Sequence, residues 1–276
     1  MQRIISFLSL VTISIWIAVF SIDSDLHIVA CDVGQGDAIL IQKSRTQILI
    51  DSGSGNKVLD CLGRHMPFWD RQIELAISTH IDKDNSGGFP DVFNRYKIVN
   101  FLTNDLNNPM YSTQNSQVLE KVVGGSGTKV IYPDVGMVIR MGMIYLDILH
   151  PYEGFSSKNT NDYSVVNLVR YGNFKAIFTA DVENEVSNQI AELPEIQNVN
   201  YLKVNHHGSK NGLSQKLLDA VNPDVAVISV GKKNSYGHPS KEILQMLRSS
   251  NVKIFRTDLE GDMDVVTDGI NFWYNK

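Results

Sequence analysis

Cysteine is scarce in this 276-residue chain: Cys31 and Cys61 are the only two. Two thiols cannot build a disulfide framework, and no closely spaced pair of the kind that holds zinc is present. Two buried free thiols are expected, with a single bridge as the alternative. A basic excess is missing as well. The 25 Lys and Arg are outnumbered by 30 Asp and Glu, a net charge of −5 with histidine neutral. No global positive field draws in nucleic acid, so any such binding must rest on a local basic patch. Past residue 25 there is no low-complexity tract and no long charge run. With 43% hydrophobic and 20% charged residues, the chain is neither disordered, collagenous nor a coiled coil. One large domain or two small ones would bury a sizeable core at this length.

Long apolar runs are confined to one place. Arg3 is followed by Ile4–Ile22, a stretch without a charge, and then by Asp23 and Asp25. As a helix this stretch reaches about 28 Å, roughly one hydrocarbon core. Basic before and acidic after predicts the N-terminus inside and the remainder outside. The small-residue pattern of a cleavage site is poor at Val19-Phe20-Ser21. Residues 1–25 therefore read as a membrane anchor, with a cleaved signal peptide or a buried helix as alternatives. Residues 26–276 read as one domain, membrane-anchored or secreted, on the extracytoplasmic side.

Within that domain short apolar runs alternate with amphipathic ones. Strands are expected at Leu26–Ala30, Ala38–Ile41, Gln47–Ile50, Glu74–Ser78, Lys129–Tyr132, Val138–Arg140, Ile144–Leu149, Ser164–Arg170, Lys175–Thr179 and Tyr201–Val204. Lys57–Met66 places Val58, Leu59, Leu62 and Met66 on one helical face, and further helices are expected near Asn184–Leu193 and Ser240–Ser249. Asn104–Ser116, rich in Asn, Ser and Thr, reads as a surface loop. One pattern repeats. A strand ends in Asp51, a helix follows, and a second strand ends in Thr79-His80. Later a strand ends beside Asp181, a helix follows, and a strand ends in His206-His207. Each half delivers an Asp and a His from strand carboxyl ends, where α/β sheets place their sites. The simplest architecture is two similar β-rich halves packed face to face, helices outside, with one site at the shared edge.

Three clusters carry chemistry. Thr79-His80-Ile81-Asp82-Lys83-Asp84-Asn85-Ser86-Gly87-Gly88 places His80, Asp82 and Asp84 at alternate positions just past a strand. So many ionisable groups repel one another unless a cation joins them, and imidazole with carboxylates suits a divalent transition metal. In Asn205-His206-His207-Gly208-Ser209-Lys210, adjacent histidines on an extended segment point to opposite sides. One is then a ligand and the other faces substrate or an acid. Tyr236-Gly237-His238-Pro239 opens a helix, and His238 is an acid, a ligand or a plain surface residue.

Together with Asp32-Val33-Gly34-Gln35-Gly36-Asp37-Ala38, Leu49-Ile50-Asp51-Ser52-Gly53 and Thr179-Ala180-Asp181, these clusters occur in an order that resembles the metallo-β-lactamase-like domain of the competence DNA-uptake protein ComEC, from about Leu26 to Trp273. Nothing resembles the many-helix channel that accompanies that domain, so the chain reads as the domain alone. The resemblance implies an α/β fold, a four-layer αββα sandwich of two related halves, here preceded by one hydrophobic helix. It also implies a hydrolytic site with one or two divalent ions, Zn or Mn. His80 and Asp82, with His150 from Leu149-His150-Pro151, would hold the first ion; Asp181 would bridge; Asp84 and one of the paired histidines, His207, would hold the second. Asp51 would support the ligands. The turn at Gly34–Asp37 reads as structural, with Asp37 capping its own turn. The related proteins normally have Asp-His where this chain has Asp84-Asn85, which predicts a filled first position and a weak second one.

The expected activity is metal-dependent hydrolysis, with Asp84, His206, His238 and Lys210 as the catalytic candidates. His206 or His238 would protonate a leaving group, and Lys210 would neutralise charge. Residues 201–241 carry Lys203, Lys210, Lys216, Lys232, Lys233 and Lys241 against Asp219 and Asp224, a rim suited to a polyanionic or phosphodiester substrate such as DNA. Hydrolysis of a small ester, lactone, amide or wall phosphoester, and a membrane-tethered binding module with decayed catalysis, are the alternatives.

Overall fold

A computed structural model of the chain describes residues 2–20, 23–106, 113–152 and 154–275. After α1 (Gln2–Phe20) come β1 (Leu26–Ala30), β2 (Ile39–Lys43), β3 (Thr46–Ile50), α2 (Lys57–His65), β4 (Gln72–Ser78), α3 (Lys83–Ser86), α4 (Phe89–Arg95), β5 (Lys97–Thr103), α5 (Gln114–Ser126) and β6 (Lys129–Ile131). The second half runs β7 (Val138–Met141), β8 (Ile144–His150), β9 (Val166–Tyr171), β10 (Phe174–Phe178), α6 (Asn184–Ile190), β11 (Tyr201–Lys203), α7 (Gln215–Val221), β12 (Val225–Ile228), α8 (Lys241–Ser249) and β13 (Lys253–Arg256). Then α9 (Thr257–Glu260), β14 (Met263–Thr267) and β15 (Phe272–Asn275) bring the chain back to the first sheet.

That sheet has the order β15-β14-β1-β2-β3-β4-β5-β6, and the second has the order β13-β12-β11-β10-β9-β8-β7. In each, a strand–helix–strand crossover makes a parallel pair, β3 with β4 and β10 with β11. The two-residue period of the strands builds the layers. Ile48 and Ile50 of β3 and Ala176 and Phe178 of β10 face the core shared by the two sheets. Leu49, between the first two, faces α2, α4 and α5 through Val58, Leu62, Phe89 and Leu119. Ile177 faces α6, α7 and α8 through Val186, Leu217 and Ile243. The result is the four-layer αββα sandwich.

Several expectations are corrected. Cys31 and Cys61 are not free thiols; they form a disulfide, with Cα atoms 5.8 Å apart. It joins the end of β1 to α2 and closes a loop that contributes about 3–4 kcal/mol by restricting the unfolded chain. The helix α4 and strand β5 occupy a stretch where no element was expected. Pro90 opens α4 near its first position, where the missing N–H costs nothing. The end of the expected loop is instead the start of α5, capped reciprocally by Thr113 and Ser116; residues 107–112 lie outside the described residues. The helix α1 forms over most of the N-terminal apolar run and exposes Ile4, Ile5, Phe7, Leu8, Leu10 and Ile13. Among the described residues no helix is long and apolar enough to cross a membrane. Residues 21 and 22, which complete the expected span, lie outside them.

Candidate metal centre

Parallel strands deliver the site. Thr79 and His80 follow β4, Asp181 lies three residues past the end of β10, and His206 and His207 follow β11. Asp181 is the hub. Its Oδ2 lies 3.3 Å from His207 Nε2, 3.9 Å from His80 Nε2 and 3.9 Å from His206 Nε2. Asp84 Oδ2 approaches His207 Nε2 at 3.5 Å. Burial pushes the Asp181 carboxyl up, but His207, His80 and His206 outweigh it and hold the group well below the carboxylate range. For Asp82, burial wins over the attraction of His80, and Asp84 and Asp181 push its carboxyl further up. His80, Asp82, Asp84, Asp181 and His207 therefore act on one another across a single centre, with His206 at its rim.

The adjacent histidines do not alternate sides. His206 and His207 take left-handed backbone angles, φ 45° and 54°, so the segment is a tight turn rather than extended chain. Both Nε2 atoms then face the same carboxylate. Burial lowers the His207 imidazole, yet Asp181 and Asp37 raise it well above its ordinary value. The His238 ring lies 5.9 Å from that of His206 and is stacked by the exposed Tyr236 at 5.8 Å. Burial lowers the His238 imidazole, and His206 and His207 lower it further. Asn234 brackets the His238 backbone, its Oδ1 accepting from the His238 N–H at 3.0 Å and its Nδ2 donating to the His238 carbonyl at 2.8 Å.

Around this centre the backbone packs closely. Asp84 sits over Gly36, where a Cβ would meet the Asp84 carbonyl at 1.8 Å and φ is +122°; only glycine allows both. Asp51 accepts from Thr79 N at 2.8 Å, Thr79 Oγ1 at 2.7 Å and Asn85 Nδ2 at 2.8 Å. Burial pushes its carboxyl up to about 7 against His80 and these donors.

His150 does not join the circle. Its Nε2 faces the Asp162 carbonyl at 2.6 Å and its ring packs edge-on against Phe155 at 4.5 Å. That backbone bond and the aromatic packing hold it in a neighbouring cluster. Lys210 is exposed, as are Lys232, Lys233 and Lys241. Two of the expected rim lysines are engaged elsewhere: Lys216 pairs with Glu192 at 2.6 Å, and Lys203 is 1% exposed and pairs with Asp37 at 2.7 Å. Asp37 accordingly does not cap its own turn but reaches into the second half, with Oδ1 3.3 Å from His207 Nδ1.

These residues fit a divalent cation. His80 Nε2, His207 Nε2 and Asp181 Oδ1 are buried and meet no hydrogen-bond partner. Buried polar atoms in that condition are costly, and imidazole nitrogens gathered about a shared carboxylate are a transition-metal donor set. A second grouping, Cys61, His65 and Asp262, does not fit. Cys61 is in the disulfide, while Asp262 Oδ2 already accepts from Arg64 at 2.7 Å and faces His65 Nε2 at 2.9 Å.

No family model matches the chain. It is 26% identical over 255 residues to ComE operon protein 3 of Bacillus subtilis, covering 83% of this chain and 31% of that protein. It is 28% identical over 242 residues to Recombination protein 2 of Haemophilus influenzae, covering 85% and 28%. The chain thus spans about a third of the length of these curated relatives. Among solved structures, the metallo-β-lactamase fold protein YhfI from Bacillus subtilis superposes with a TM-score of 0.59 at 12% identity, over 91% of this chain and 100% of that one. The fold is that of the metallo-β-lactamases. Zn(2+)-bound PqqB from Methylobacterium extorquens matches with a TM-score of 0.53 at 8% identity, over 80% and 85%. A diphosphatase of the PhnP family matches with a TM-score of 0.52 at 10% identity, over 87% and 98%. In the present metallo-β-lactamase fold the buried centre lies where the carboxyl ends of the parallel strands of both sheets meet.

Proposed function

We propose that the chain is a divalent-metal-dependent hydrolase of phosphodiesters, acting on a polyanion such as DNA. One observation carries the reading: His80 Nε2 and His207 Nε2, buried and without hydrogen-bond partners, both face the Asp181 carboxylate, whose Oδ1 is likewise buried and without one. His80, Asp82 and Asp181 would hold a first ion, and Asp84, Asp181 and His207 a second. Zinc or manganese is the expected metal, and it supplies Lewis acidity and lowers the pKa of water. The chain's own groups do the rest. His206 Nε2, at the rim of the centre, is placed to give a proton to the leaving oxygen. His238, whose imidazole is lowered by burial and its histidine neighbours, would relay it. Exposed Lys210, Lys232 and Lys233 offset the substrate's charge. A phosphoester substrate is also supported by the fold shared with a diphosphatase, and DNA by the likeness to a protein named for recombination.

Hydrolysis of bis(p-nitrophenyl) phosphate, DNA and simple esters, with and without metal, tests the reading. We expect metal-dependent cleavage of both diesters and steep salt inhibition with DNA. Changing Lys210, Lys232 and Lys233 together to Glu should raise KM for DNA at least about tenfold, with little change for the small diester. Equal effects on both substrates would discard the polyanion; cleavage of esters alone would replace the phosphodiester.

We further propose that the domain works outside the cytoplasm. The charge asymmetry about Ile4–Ile22 supports it, as does the Cys31–Cys61 disulfide, since such bonds persist in oxidising compartments. Protease added to spheroplasts should digest the domain, while intact cells protect it. A domain shielded in spheroplasts would contradict export.

A further inference from the structure

We propose that Asp37 and Lys203 form a buried positioning pair that aims His207 at the metal centre, carrying a carboxylate of the first half under a histidine of the second. This rests on the reading of His207 as a ligand. Lys203 is the third residue of β11, and the strand's alternation turns Tyr201 and Lys203 toward the space between the sheets while Leu202 faces the outer helices. Its ammonium group is buried there and donates to Asp37 Oδ2 at 2.7 Å and to the Val204 carbonyl at 3.1 Å. Asp37 is anchored to its own half, because its backbone carbonyl accepts from Gly53 N at 2.7 Å. The pair therefore bridges the β1–β2 loop to the end of β11.

His207 lies against that bridge. On one side its Nδ1 is 3.0 Å from the Ser229 carbonyl and 3.3 Å from Asp37 Oδ1. On the other, Nε2 faces Asp181 Oδ2 at 3.3 Å and Asp84 Oδ2 at 3.5 Å. The Ser229 carbonyl in hydrogen-bond range of Nδ1, with the Asp37 carboxylate charge beside it, favours a proton there and leaves the Nε2 lone pair for the cation, the arrangement by which a second layer of groups orients ligand imidazoles. Lys203 is what allows a buried carboxylate to stand there. Without it Asp37 would be an uncompensated buried charge, whose cost is large. Lys203 thus serves the site from beneath and does not touch substrate.

The test uses the EDTA-treated full chain, titrated calorimetrically with Mn2+, alongside thermal melting. Asp37→Ala and Lys203→Met, each leaving one buried charge unpaired, should melt well below the unmodified chain. The double variant Asp37→Ala/Lys203→Met removes both charges and should recover the melting temperature, yet bind the second Mn2+, the one His207 would hold, about 10–100-fold more weakly. Asp37→Asn/Lys203→Met keeps an acceptor oxygen beside Nδ1 and should bind Mn2+ more tightly than the Ala/Met variant. Binding by the Ala/Met variant equal to that of the unmodified chain would overturn the positioning role while leaving the metal centre intact. Failure of the unmodified chain to bind Mn2+ would overturn both. A second measurement does not depend on the variants folding: NMR of the zinc-loaded chain with 15N-labelled histidine, the His207 signal being the one lost in His207→Gln. A proton on Nδ1 is expected, and an unprotonated Nδ1 would overturn the proposal.

Discussion

Replacing Asp181 by Ala is expected to strip the metal from the chain and to lower phosphodiester hydrolysis by more than about 100-fold. That floor comes from groups that only support ligands, whose loss typically costs about 10–100-fold; Asp181 is the shared hub. Its carboxylate lies 3.9 Å from His80, 3.9 Å from His206 and 3.3 Å from His207. Asp84 also faces His207 Nε2, at 3.5 Å, but among the described residues it makes no ion pair with His80 or His206. Metal analysis by mass spectrometry and kinetics on bis(p-nitrophenyl) phosphate check this, with a melting curve to establish that the variant is folded. A folded Asp181→Ala chain with its full metal content would contradict the assignment.

The second large effect is expected at Asn85, in the direction of a gain. Asn85 is fully buried and uses its amide nitrogen to donate to Asp51 Oδ2 at 2.8 Å, while its Oδ1 meets no partner. An amide oxygen is a weak, neutral ligand, so Asn85 adds little to the position shared by Asp84, Asp181 and His207, which counts one imidazole and two carboxylates. It is also oxygen-rich, which favours manganese or magnesium over zinc. Asn85→His supplies an imidazole that can donate to Asp51 with one nitrogen and offer the other to a cation. Tightly held metal should rise from about one ion per chain toward two, with faster hydrolysis, because paired ions stabilise both the attacking and the leaving oxygen. Two tightly held zinc ions in the unmodified chain would contradict this.

How much of this was legible in the sequence depended on distance along the chain. His80, Asp82 and Asp84 lie within five residues, and the crossovers ending at Asp51–His80 and Asp181–His207 repeat one pattern, so both halves and their shared edge could be read directly. The Asp37–Lys203 pair could not, because its members are separated by 166 positions and β11 is too short for its alternation to mark Lys203 as interior. A lysine in the apolar run Tyr201–Val204 was nevertheless a usable signal, since a buried ammonium group needs a carboxylate. The disulfide was similarly hidden, its cysteines lying 30 positions apart on elements whose packing only the fold defines. The turn at His206 and His207 is not legible in the sequence, because two consecutive left-handed histidines are uncommon for residues with a Cβ. His150 belongs to a strand end like the others, but an aromatic cluster and the Asp162 carbonyl claim its ring.

The central claim is that the buried centre around Asp181 binds a divalent cation and uses it on phosphodiesters. Its most direct test is one titration, in which metal-free chain receives Mn2+ or Zn2+ while bound metal and bis(p-nitrophenyl) phosphate hydrolysis are followed together. Activity is expected to be absent in EDTA and to rise with the first tightly bound equivalent. Hydrolysis that persists undiminished in the metal-free chain, or one equivalent of bound metal that brings no hydrolysis, would contradict it.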